Sequence, residues 1–172
     1  MMLNMLMMAA ALAMGGGDDS DPIKKYPGQW DLYRNADNCA LMTSYKGGDF
    51  LRIAYYPKID KVVLTFGNES FKDMTTGKKF RLHLMFARAG KLDDHWGVVD
   101  AVSSDLGQYG GAYNIFLPPV VLEDLAQDEA IGLTDDDKPI NKLNIEQLAT
   151  PIEGMKECSR ALGIPGPDAP KT

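Results

Sequence analysis

The chain has 172 residues, a formal net charge of −6 and no cluster of Lys or Arg. Nucleic acid and anionic lipid both call for a basic face to neutralise phosphates, so this balance argues against either as a partner. The size fits one ordinary domain with a real hydrophobic core.

The first segment is apolar from Met1 to Met14, ends in Ala11-Leu12-Ala13, and gives way to Gly15-Gly16-Gly17 and Asp18-Asp19. An apolar stretch, an A-x-A site and a polar continuation read as an export signal over residues 1–13. The first Lys is Lys24, so the basic opening of such signals is missing, and the alternatives are a Met-rich tail or a buried N-terminal helix. A membrane span needs about 20 apolar residues, more than this run supplies, so no stable span is expected after signal removal. Residues 14–27 read as a flexible polar lead, 28–163 as a single β-rich domain, and 164–172 as a disordered Pro-rich tail.

Within the domain the dominant pattern has period two. Cys39, Leu41, Thr43 and Tyr45 share one face of a strand, and Lys46-Gly47-Gly48-Asp49 supplies a hairpin turn. Phe50–Tyr56 answers with Leu51, Ile53 and Tyr55 on one side, and after Pro57-Lys58-Ile59-Asp60 the segment Lys61–Phe66 alternates again. Residues 67–78 read as a loop. Lys79–Ala87 is the clearest strand, with Phe80, Leu82, Leu84 and Phe86 opposite Lys79, Arg81, His83 and Met85. Trp96–Val102 is a further strand bounded by Ser103-Ser104-Asp105, residues 107–111 form a connector, and Tyr113–Leu117 is a short strand. Pro118-Pro119 opens a short helix over Val120–Ala126. Ala130–Leu133 and Lys138–Ile145 pair around Asp135-Asp136-Asp137. Thr150-Pro151-Ile152-Glu153 has the form of a capping box, and Ile152, Met155, Cys158 or Ser159, and Leu162 follow at helical spacing until Gly163 and Pro165. The fold class is α+β and β-rich: a mostly antiparallel meander of about seven or eight strands, sandwich or open barrel, with one short and one C-terminal helix.

Cys39 and Cys158 are the two cysteines, and in an exported protein an even count suggests a disulfide. With two Cys and two His a zinc site would require both pairs to converge, so no metal and no cofactor is expected. Asp93-Asp94-His95-Trp96 is the densest group able to do acid–base or metal chemistry, but neighbours on a strand point to opposite faces. His83 lies on the polar face of its strand. Ser103 or Ser104 with a His and an Asp lacks any nucleophile-elbow motif. Asp135-Asp136-Asp137 lacks the spacing of a calcium loop, and residues 107–111 do not match a phosphate-cradling loop. Tyr55, Tyr56, Tyr109 and Tyr113 could form an exposed aromatic binding patch, with His83 and His95 as further binding candidates.

Trp30 followed by Asn38-Cys39-Ala40-Leu41, then Gly47-Gly48 and alternating strands, and later Ile140–Ile145 with Lys156-Glu157-Cys158, resembles small exported single-disulfide β-rich proteins of Gram-negative bacteria. The resemblance implies an envelope location, a β-rich fold and a Cys39–Cys158 bridge, and no particular activity. The expected function is a non-enzymatic periplasmic or secreted domain that binds an envelope protein or small ligand. The alternative is a small hydrolase or metal-assisted enzyme using His95 with Asp93 or Asp94, or His83. A third reading is a protease inhibitor with the Gly47-Gly48 or Gly107–Gly111 loop as bait.

Overall fold

The computed structural model describes residues 21–162. Eleven strands form one antiparallel sheet: β1 (Lys24–Tyr26), β2 (Trp30–Arg34), β3 (Cys39–Ser44), β4 (Asp49–Tyr56), β5 (Lys61–Asn68), β6 (Lys79–Arg88), β7 (Lys91–Asp93), β8 (Val98–Asp105), β9 (Gly111–Leu117), β10 (Ala130–Asp135) and β11 (Lys138–Asn144). The helices are α1 (Val121–Gln127) and α2 (Ala149–Ala161). The β-rich, antiparallel expectation holds. Strand order is β1-β2-β3-β4-β5-β9-β8-β6-β10-β11, with β7 pairing β6 off this path. The meander is therefore interrupted at three places: β5 pairs β9 instead of β6, β8 pairs β6 and β9 instead of β7, and β10 pairs β6 instead of β9.

Alternation sets the faces. Leu41, Leu51, Ile53, Leu64, Leu82, Leu84, Phe86, Ile115, Ile131 and Leu133 turn inward and are buried in one core that also takes Leu122 and Leu125 of α1 and Ile152 and Met155 of α2. Gly47 and Gly48, with φ of 96° and 84°, make the β3–β4 turn that residues with a Cβ enter at a cost. The sheet is not closed by a ladder, yet its ends approach, because the Tyr45 hydroxyl donates to the Asn144 carbonyl at 2.5 Å. Helix α2 packs on β2, β3 and α1, and the Cys39–Cys158 disulfide fastens it there with a Cα–Cα distance of 6.2 Å. No helix among the described residues is long and apolar enough to cross a membrane.

Several boundaries differ from the sequence reading. The signal over 1–13, the first part of the 14–27 lead, the stop at Gly163 and the tail at 164–172 lie outside the described residues. The end of that lead is strand β1, because Tyr26 has a core to enter and Lys24–Tyr26 pairs with Trp30–Leu32. Strand β7 was not expected: three residues are too few to show alternation. Trp96 stands in a turn, and β8 continues through Ser103-Ser104-Asp105 because the serines find buried partners. The capping box is not made. Helix α2 starts at Ala149 with no side-chain cap, which leaves Thr150 and Pro151 inside the first turn, where Pro forfeits no hydrogen bond.

Candidate functional site

The Asp93–His95 tip does assemble, and it does so across the fold. The β7–β8 connection folds back so that His95 Nδ1 lies 2.7 Å from Asp93 Oδ1, while His95 Nε2 lies 3.2 Å from Asp124 Oδ2 on α1. The same Asp124 oxygen accepts from Trp96 Nε1 at 2.8 Å. The hydrogen bond that His95 donates to Asp93, reinforced by the Asp124 charge, raises the His95 pKa above its ordinary value; His95 in turn lowers that of Asp93. His83 Nε2 lies 3.9 Å from Asp94 Oδ2, a loose and solvated pair. The two histidines thus share no carboxylate: His95 meets Asp93 and Asp124, and His83 meets Asp94. Among the described residues no group of His, Cys, Asp and Glu could hold a metal ion.

A nucleophile does not join this tip. Ser103 and Ser104 are 1% and 0% exposed. Ser103 donates to the Thr75 carbonyl at 2.5 Å, and Ser104 accepts from Asn114 Nδ2 at 2.8 Å. The imagined Ser-His-Asp set is therefore dispersed. The Asp135-Asp136-Asp137 segment is the β10–β11 turn, with Asp135 opposite Lys138. Residues 107–111 are fastened rather than displayed: Leu106 and Gly110 close on each other, and Gly110 lies against the backbone of Asn68.

The tyrosine patch does not form. Tyr55 and Tyr56 are each 4% exposed, on opposite faces of β4 as adjacent strand residues must be. Tyr113 is half-buried between Phe71 and Phe80, and of the four only Tyr109, at 54%, is exposed.

A second arrangement stands on the outward face of β2–β4. A cleft there is lined by Gln29, Asp31, Tyr33, Met42, Thr43 and Ser44. Register aligns Asp31 with Met42 and Met42 with Arg52, so an acid, a thioether and a guanidinium form one row across three strands. The adjoining row is Tyr33, Ala40, Ala54 and Val63, of which the last three are buried in a small apolar cluster with Tyr56 and Phe116. Arg52 is 5% exposed. Its Nη1 and Nη2 donate along the strand to the Tyr56 hydroxyl at 3.3 and 3.4 Å, long contacts, and no described carboxylate pairs with it. Burial raises the Tyr56 pKa, and the nearby guanidinium partly offsets this.

Alternation in Phe50–Tyr56 already turns Arg52 away from Leu51, Ile53 and Tyr55, so parity could have marked it. Nothing local ties Asp31 to Arg52 or His95 to Asp124. Comparison with family models, curated proteins and solved structures finds no match.

Proposed function

We propose that this is an exported, non-enzymatic binding domain of the bacterial envelope, held shut by its disulfide. The observation that carries the binding reading is Arg52: a nearly buried guanidinium whose register neighbour Met42 lines the cleft, with a phenol as its described hydrogen-bond partner. A buried cation without an anionic partner is costly, and a ligand that supplies the anion recovers that cost. The Cys39–Cys158 bridge supports an oxidising compartment, in keeping with the A-x-A site after the apolar run and with the resemblance to exported single-disulfide proteins.

Native mass spectrometry of the protein recovered from its host tests both halves. Export predicts a non-reduced mass lacking residues 1–13 and no alkylation until reductant is added. Binding predicts a co-purifying mass that is absent from an Arg52→Met variant. A full-length mass with two alkylatable thiols refutes export, and an identical spectrum for the variant refutes binding at Arg52.

The hydrolase reading keeps one observation in its favour, the Asp93–His95–Asp124 contacts. It requires that His95→Ala fold normally and lose a measurable hydrolytic activity.

A further inference from the structure

The β7–β8 connection, residues 94–97, is pinned at both ends. Asp93 is held in β7 opposite Phe86, and the Gly97 carbonyl accepts from the Leu84 amide of β6 at 2.9 Å. Between these points His95 and Trp96 reach α1 through a single oxygen, Asp124 Oδ2, at 3.2 and 2.8 Å. The other ring nitrogen of His95 lies 2.7 Å from Asp93 Oδ1. A neutral imidazole has one N–H and one lone pair, so it donates to only one of these two carboxylates, whereas the imidazolium donates to both. The arrangement is therefore that of the charged ring. Asp93 of β7 and Asp124 of α1 are the charges that act on it. Around them, Arg88 of β6 is engaged with Asp128 at 2.8 Å, and Asp94 faces His83 of β6 at 3.9 Å.

We propose that this connection is a proton-operated latch, closed on α1 while His95 is an imidazolium and open when the ring is neutral. The ring is half-exposed, so its proton passes to solvent. Once neutral, it keeps the shorter hydrogen bond, to Asp93, and turns a lone pair towards Asp124 Oδ2. A lone pair facing a carboxylate oxygen is repelled, so the contact to α1 is the one that fails. Trp96 then holds Asp124 alone, and its half-buried seat against the core loosens. The Asp93 hydrogen bond raises the His95 pKa, so the closed form is complete below the ordinary histidine value of about 6.5 and is lost as pH rises through the higher folded value. Between those two values the closed-to-open ratio falls about tenfold per pH unit.

The test is acrylamide quenching of tryptophan fluorescence in the oxidised protein between about pH 5 and pH 9, the window in which a histidine changes charge. Lifetimes are measured alongside, which separates access to the indole from direct quenching by the imidazolium. Trp30 and Trp96 are the two tryptophans, and Trp30 is 1% exposed, so the accessible signal belongs to Trp96. The bimolecular quenching constant is expected to rise about twofold or more with pH, at the midpoint of the His95 ring titration followed by NMR. His95→Gln, which gains no charge, is expected to abolish the pH dependence. Asp124→Asn, which keeps an acceptor for Trp96 and loses the charge, is expected to blunt the rise and lower its midpoint. His83→Gln is expected to leave the profile as it is; circular dichroism and Tm confirm that each variant is folded. A constant that stays flat across the His95 midpoint overturns the proposal. So does a rise that survives in His95→Gln, is unaltered in Asp124→Asn, or disappears in His83→Gln.

Discussion

The disulfide offers the sharpest quantitative test of how this fold is held. Cys39 and Cys158 are 119 residues apart, so the bridge joins an early strand to the last helix and encloses nearly all of the sheet. The Cα–Cα distance of 6.2 Å lies within the ordinary range for a bridge, so the native backbone need not shift when it is opened. The loss on reduction therefore acts mainly through the unfolded chain. For a loop of this length the chain-entropy expression gives about 16 cal/mol/K, or about 5 kcal/mol at 25 °C. A domain of this size is stable by about 5–15 kcal/mol in all, so the loss is a third of the total or more. It corresponds to a fall in Tm of about 10–20 °C. The native reduced state is expected to keep α2 in place, since Ile152 and Met155 remain in the core whether or not the sulfurs are joined.

Urea unfolding of the oxidised protein, the reduced protein and the Cys39→Ala/Cys158→Ala variant measures this directly. The reduced form should unfold at lower urea with an unchanged helical signal in its native baseline, and its m-value should rise as the freed chain exposes more surface. A loss below about 1 kcal/mol would refute the loop-entropy argument. A reduced native baseline that has already lost helical signal would instead show that the bridge, not packing, docks α2.

Two further outcomes follow from single contacts. The Tyr26 hydroxyl is buried without a described partner, and it lies where a side chain at Gly154 of α2 would begin. Tyr26→Phe should therefore stabilise by about 1 kcal/mol. Gly154→Ala should destabilise by about 1–3 kcal/mol despite the better helix propensity of Ala. The double variant should recover part of that loss, since the ring carbon Cζ still lies 2.8 Å from a Cβ at position 154, and simple additivity in a thermal-melt cycle would sink the argument. His95 has a folded-state pKa raised by Asp93, so its contribution is complete below the ordinary histidine value of about 6.5 and is lost as pH rises through the higher folded value. Asp93 is lowered, so its contribution is present above the ordinary carboxylate range and is lost as pH falls through its folded value. An NMR titration should place His95 above 6.5 and bring it down in Asp93→Asn; a midpoint at or below 6.5 in the parent would contradict the contact.

How much of this was legible in the chain depends on the distance over which each cause acts. Alternation in Lys79–Ala87 and Phe50–Tyr56, and the Gly47-Gly48 turn, are local: period two and a positive φ are properties of neighbouring residues, so strands and hairpins could be read directly. The same parity separates Tyr55 from Tyr56, which an expected patch containing both overlooked. With only two cysteines the bridge had one possible pairing within the chain. Short or unpatterned elements were not legible. Strand β7 exists because Lys91–Asp93 meets Phe86–Arg88 across a tight turn, and β8 runs through Ser103 and Ser104 because Thr75, Lys78 and Asn114 give their hydroxyls partners. The pairing of β5 with β9, the meeting of His95 with Asp124, and the row Asp31–Met42–Arg52 belong to the tertiary structure alone. Each joins residues whose local patterns are independent; the first and last are set by register across a sheet whose whole inner face must be buried at once, and the second by where the β7–β8 connection meets α1.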